Sequence, residues 1–182
     1  MTSGQRRDAR QNRARILDVA RRRFDAGDEE LPLNVIAAEA GVGVGTVYRN
    51  FPSRLALLAA LAAPHLDALR GAIERLADGF RPGALEEAFR VAVATFGAHR
   101  ELLEVVGDGG PADGAAGDVA PLLALLETLR AAAVAAGELR PEVTAEALRH
   151  LVCAVDYAAR RSSDPDAARR LHAEIAVRGI RP

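Results

Sequence analysis

Residues 41–51, GVGVGTVYRNF, concentrate the residue types that could do chemistry in this chain. Gly41, Gly43 and Gly45 alternate, as in loops whose backbone N–H groups cradle a phosphate. Thr46, Tyr48, Arg49 and Asn50 follow, and side chains of those types grip a phosphodiester backbone or the edges of bases. A dinucleotide-binding loop needs a strand before its glycines and a helix after them. The preceding LPLNVIAAEA instead places Leu33, Ile36, Ala37 and Ala40 on one helical face. The spacing is GxGxG rather than GxGxxG, and no Walker-type Gly-Lys-Thr occurs. Two short helices meeting across a tight turn, a helix-turn-helix, account for each residue. Ala37 is small where the helices approach, Gly41 supplies a left-handed turn residue, and Val42 and Val47 fill the space between the helices. Thr46, Arg49 and Asn50 then face outward, beside the Tyr48 hydroxyl. A generic helical hairpin explains the glycine and the small residue but not the polar cluster.

The remaining chemistry-bearing residues are scattered. His65, His99, His150 and His172 fall on separate helical segments, and no HExxH, GxSxG or CxxC occurs. A bundle could bring His65, His99 and His150 to a metal together with Asp156. Lone histidines on helices more often satisfy local hydrogen bonds, so no metal, cofactor or catalytic residue is expected. Cys153 excludes an internal disulfide and reads as a small core residue.

The chain that must position these residues has 182 residues, 49% of them apolar, with seven aromatics and no Trp. Its 24 basic residues are all Arg. Residues 1–54 carry a net +3 and residues 55–182 a net −4, so a polyanion is expected at the N-terminal end. Ordinary solvated surface charge gives the same distribution. No apolar core follows MTSGQRRDAR, so no signal peptide is read. The apolar stretch 55–66 is too short to cross a membrane and contains Pro64. A cytoplasmic protein without a membrane partner is expected.

Helical periodicity runs almost throughout, and the fold class is all-α with about nine helices. Ile16, Leu17, Ala20 and Phe24 form the first stripe, which Gly27 stops. Helices follow over 33–40 and 44–50. Ser53 caps a long helix to about residue 78, which Pro64 should kink. A helix after Pro82-Gly83 carries Leu85, Phe89, Ala92 and Phe96 on one face, and a short piece spans 101–106. Residues 107–121, rich in Gly and Pro, read as a loop. Three helices near 119–136, 144–161 and 165–177 complete the chain.

The run IAAEAGVGVGTVYRNFPSR, residues 36–54, resembles the signature of the tetracycline-repressor (TetR) family of bacterial transcriptional regulators. The resemblance covers about residues 13–60, including Ala20, Phe24 and Gly27 before the motif and Leu57 and Leu58 after it. It implies an N-terminal helix-turn-helix, three-helix DNA-binding domain over 1–52 and a C-terminal helical bundle for ligand binding and dimerisation over 53–182. By position, Tyr48 and Arg54 would contact phosphates. Thr46, Arg49 and Asn50 would lie at the major groove of a double-stranded operator, with Val44 against a thymine methyl and Gly45 beside it. Asn34 would reach a base or the backbone. Arg6, Arg7, Arg10 and Arg13 look like the arm that some members lay along DNA, though a solvated tail reads the same. Gly43 and Val44 depart from the polar residues common in the family, and Asp28-Glu29-Glu30 adds negative charge near the module.

The resemblance also implies a homodimer and a small-molecule effector. The Leu148, Val152, Val155 and Ala159 stripe suits helix pairing between protomers, or the chain's own core. Leu66, Leu69, Phe89, Val93, Phe96, Leu122 and Leu126 could line an apolar space, with His65, His99 or His150 as polar contacts. That set implies an apolar or weakly polar effector, acting on the DNA-binding module through the long helix. The expected function is a repressor released from a palindromic operator by that effector. Alternatives are an effector-independent DNA-binding regulator and a helical enzyme whose N-terminal hairpin is only structural.

Overall fold

A computed structural model describes residues 3–79, 81–106 and 119–182, with side chains from residue 6 onward. Among the described residues there are nine helices and no strand. They are α1 (Ser3–Asp25), α2 (Leu33–Ala40), α3 (Val44–Asn50), α4 (Arg54–Ala77), α5 (Ala84–Ala98), α6 (Glu101–Val106), α7 (Ala120–Ala135), α8 (Ala145–Ala159) and α9 (Pro165–Ile180). The chain divides into two compact units, Met1–Leu61 and Ala62–Pro182, and the division falls inside α4.

In the first unit α1, α2 and α3 pack against one another. Ile16, Ala20 and Phe24 of α1 meet a core that includes Ile36, Ala37, Val47 and Phe51, all buried. Helix α1 begins much earlier than its apolar stripe. Residues 5–15 are Arg, Gln, Ala, Asn and Asp, without Gly or Pro, and most of these types tolerate a helix well. From Ser3 onward the basic segment forms the first turns of α1 rather than a separate tail. Between α1 and α2 the chain turns through Leu31, a non-glycine residue at φ 45° whose side chain is fully buried. Such a backbone costs roughly 1–2 kcal/mol. Burying the leucine, worth about 1.5–3 kcal/mol, offsets that cost, and Leu31 N–H donates to Asp28 Oδ1 at 3.3 Å.

In the second unit α5 packs against α7, α8 and α9, and α8 packs along α9. Thr144 and Asp164 cap α8 and α9 by accepting from the N–H of Ala147 and Ala167 at 3.0 Å each. The stripe Leu148, Val152, Val155 and Ala159 is buried within this unit. It is core rather than an inter-protomer seam, because the periodicity of an apolar face is the same whichever partner covers it. The large apolar side chains that α8 and α9 leave exposed are Tyr157, Leu171 and Ile175, at 58%, 60% and 60%.

Helix α4 runs through Pro64 as one continuous helix. Among the described residues it is the one helix long and apolar enough to cross a membrane. That makes the whole helix longer than the apolar stretch read from sequence, but Leu57, Leu58, Leu61, Leu66, Leu69 and Ile73 along it are buried inside the protein. Residues 107–118 of the expected loop lie outside the described residues.

Candidate functional site

The turn between α2 and α3 is built by its first glycine. Gly41 has φ 64° and ψ 37°, the left-handed conformation that ends a helix without a Cβ clash. Its N–H donates to Ala38 O at 3.2 Å, and Val42 N–H donates to Ala37 O at 3.0 Å. These two bonds satisfy the last carbonyls of α2 and fix the direction in which the chain leaves it. Gly43 and Gly45 have ordinary backbone angles, and a Cβ at Gly45 would meet nothing within 4 Å. The alternation of glycines thus hides one conformational requirement and two positions that simply lack a side chain.

Helix α3 is anchored by Val47 and by Phe51 just past its end, both buried. Its other side presents Val44 (46% exposed), Gly45, Tyr48 (52%) and Arg49 to solvent. Thr46 and Asn50 are half-buried. Asn50 Nδ2 donates to Thr46 O at 2.8 Å, and Arg49 Nη2 donates to Thr46 Oγ1 at 3.2 Å. The three polar residues therefore form one linked cluster, with the Asn50 amide committed to its own helix. Asn34 is exposed in the first turn of α2.

Two arginines frame α3. Arg54 opens α4 and donates from Nε to Glu29 O at 2.7 Å, with Nη2 on the same carbonyl. Ser53 caps that helix through Ala56 N–H at 3.1 Å. Arg13 of α1 donates to Asn50 O at 3.4 Å and lays its guanidinium 4.4 Å from the centre of the Phe51 ring. Arg6 and Arg10 share the α1 face of Arg13 by helical spacing and are exposed. A row of basic residues thus leads along α1 to the end of α3. The acidic run beside the module is partly neutralised. Arg23 donates to Asp28 Oδ2 at 2.7 Å and also pairs with Glu39. This Arg23 hydrogen bond holds the Asp28 carboxyl below the usual carboxylate range.

In the second unit Leu69, Phe89, Phe96, Leu122 and Leu126 line one apolar cavity of about 50 Å³. Ala92, Val106 and Leu148 complete its walls, and Arg149 is its charged member. Arg149 Nη1 donates to Val106 O at 2.6 Å. Of the other residues expected there, Leu66 is buried outside this lining and Val93 lines a separate groove between α5 and α9. His150 is exposed with Nε2 3.0 Å from Arg149 Nη2. His65 and His99 stack on each other beside Glu101. Arg149 was not among the sequence candidates; nothing in its spacing separates it from the other arginines. Asp156 belongs to neither group. It is fully buried between Arg160 Nε at 2.6 Å and Arg169 Nε at 3.1 Å.

Residues 16–61 match the sequence profile of the family described as bacterial regulatory proteins, tetR family. Over 50 residues the chain is 46% identical to an HTH-type transcriptional regulator of Staphylococcus aureus (strain USA300), a match that spans 27% of this chain and 27% of that relative. Its full length is similar to the TetR transcription regulatory protein of Mycobacterium vanbaalenii, at 33% identity, 98% coverage of this chain, 99% of that chain and a TM-score of 0.52. RolR, solved in complex with its ligand resorcinol, shares the fold at 19% identity, 96% coverage of this chain, 89% of that chain and a TM-score of 0.65.

Proposed function

The chain belongs to the tetR family of bacterial regulatory proteins, and we propose on that footing that it is a homodimeric repressor of a palindromic operator, released by a small apolar or weakly polar effector. The observation that carries the DNA-binding reading is the exposed face of α3, held at a fixed angle by the Gly41 turn and flanked by Arg54 and Arg13. Tyr48 and Arg54 contact phosphates, which positions the protein without reading sequence. Thr46, Arg49 and Asn50 face base edges as one linked cluster, Val44 meets a thymine methyl, Gly45 lets the backbone approach closely, and Asn34 reaches the backbone or a base from α2. We place the DNA-binding domain at 1–52 and the ligand and dimerisation domain at 53–182.

The effector reading rests on the apolar cavity. At about 50 Å³ it is far smaller than the few hundred Å³ of a typical ligand site. An effector must therefore part the helices that line it, and that is what gives it different affinities for two helix settings. Such a difference shifts DNA affinity by about 1–3 kcal/mol. Arg149 contributes to the wall with its guanidinium turned to Val106 O and His150, so the cavity itself is apolar. RolR, of the same fold, was solved with resorcinol, a small aromatic molecule of this polarity class. The effector-independent alternative lacks a use for this cavity. The enzyme alternative requires a catalytic cluster in a family of regulators.

Mobility-shift titrations of a selected DNA site test the reading. Tyr48→Phe and Arg54→Ala should weaken binding alike on all sequences, and Arg54→Ala alone, which removes a charge, should also reduce the salt slope by about one. Thr46→Ala and Arg49→Ala should change which base is preferred, by about 1–3 kcal/mol at the affected position. If none of these four variants alters binding, α3 is not the recognition element.

A further inference from the structure

We propose that His65, His99 and Glu101 bind one divalent transition-metal ion of the Zn²⁺, Co²⁺ and Ni²⁺ class. His65 stands on α4 directly after Pro64, His99 follows the last residue of α5, and Glu101 opens α6. The α5–α6 corner thus delivers two ligand atoms, and α4 brings the third. One ligand atom from each residue lies within 4.8 Å of both others. His65 Nε2 is 3.7 Å from Glu101 Oε1. Two ligands on a tetrahedral zinc, each ~2.0–2.1 Å from the ion, stand about 3.4 Å apart. This pair therefore has only a few tenths of an ångström to close.

The two imidazole rings are stacked, with centroids 3.4 Å apart and planes 16° from parallel. Each lone pair lies in its ring plane, so shared coordination requires the rings to splay from this stack. His65 and His99 are both half-buried rather than locked in the core. Glu101 is 1% exposed. At that depth its carboxylate is a fixed anionic oxygen donor beside the two imidazoles, with little room to move away from an ion bound there. The donor set also selects the ion. Two imidazole nitrogens and one carboxylate oxygen suit Zn²⁺, Co²⁺ and Ni²⁺, whereas Mg²⁺ and Ca²⁺ require oxygen ligands. Three protein donors leave a coordination position for water or for a small ligand. The proposal does not depend on the DNA-binding reading, since it concerns ion binding alone.

The test is calorimetric and spectroscopic titration of the full chain, free of any polyhistidine tag and stripped with chelator, with Zn²⁺ and Co²⁺. The expected result is one ion per chain, with a Co²⁺ visible spectrum of low coordination number and a raised thermal midpoint. His65→Ala and His99→Ala should each weaken binding by at least tenfold, since losing even a group that only hydrogen-bonds a metal ligand costs about 10–100-fold. His172→Ala removes a histidine of α9 outside the cluster and should bind as the parent does. Circular dichroism checks that each variant is folded, and His99→Ala, at the half-buried helix end, decides the matter if His65→Ala does not fold. Absence of one-ion binding, or a folded His99→Ala chain that binds as tightly as the parent, overturns the proposal.

Discussion

A Cβ at Gly97 would lie 2.4 Å from Nε of Arg169 and 2.5 Å from its Cζ. The glycine lets the Arg169 guanidinium pass close over α5 to reach the fully buried Asp156, which Arg160 holds from the other side. Gly97→Ala displaces a flexible side chain rather than backbone, so its cost is the loss of the Arg169–Asp156 contact. Hydrogen bonds to a charged partner are worth about 1.5–3 kcal/mol, and a loss of about that size is expected in denaturant unfolding. In an Arg169→Met background the same glycine substitution should cost much less. Asp156→Ala removes the shared anion and should cost more, about 3 kcal/mol or above. None of this was legible in the sequence. Gly97 sits inside an ordinary helical stripe, and Asp156 was weighed only as a metal ligand beside the histidines, not as the buried partner of two arginines. Gly41 was legible, because a glycine directly after an Ala-rich helix has one common reason to be there. Gly41→Ala should leave the fold intact and destabilise it by about 1 kcal/mol through its positive φ alone.

At the scale of elements, the nine helices among the described residues were readable, most of them because apolar spacing at 3–4 residues marks them and α3 because of the Gly41 turn before it. What the spacing could not tell was which surface covers each stripe. Leu148, Val152, Val155 and Ala159 meet their own unit, and the basic N-terminus continues α1 because its residues favour a helix even without apolar spacing. The end of α9 shows a charge-dependent join. Arg181 donates to Glu86 through Nε at 2.5 Å and Nη2 at 2.8 Å, tying the C-terminus to the first turn of α5. The Arg181 hydrogen bonds hold the Glu86 carboxyl below its usual range. The folded pKa is therefore lower than the unfolded value. The stabilisation is fully present above that value and disappears as pH falls through the depressed folded pKa. Arg181 is more than half exposed, which limits the effect to about 1 kcal/mol or less. Glu86→Gln should lower stability at neutral pH and make little difference well below pH 4. Equal loss at both pH values would remove the ion pair from the explanation.

For the whole molecule, the proposed dimerisation and effector response depend on surfaces that no single element defines. If the proposed dimer forms through a four-helix interface, the exposed Tyr157, Leu171 and Ile175 on α8 and α9 are the apolar side chains it would cover. Leu171→Glu with Ile175→Glu should give monomers by sedimentation and weaken DNA binding, whereas a charge at Val152 or Val155 should instead unfold the core. Filling the cavity by Ala92→Val, small enough not to part the helices, should abolish the effector response while leaving operator affinity in place, both read by mobility shift. The central claim is that a two-fold protein reads DNA with two copies of α3. Selection of bound duplexes from a random pool, followed by sequencing, tests it most directly. The account predicts enrichment of a palindrome whose half-sites lie about one helical turn apart, roughly 34–36 Å. Recovery of sequences with no common motif, or of a single unrepeated half-site bound as tightly as any pair, would contradict it.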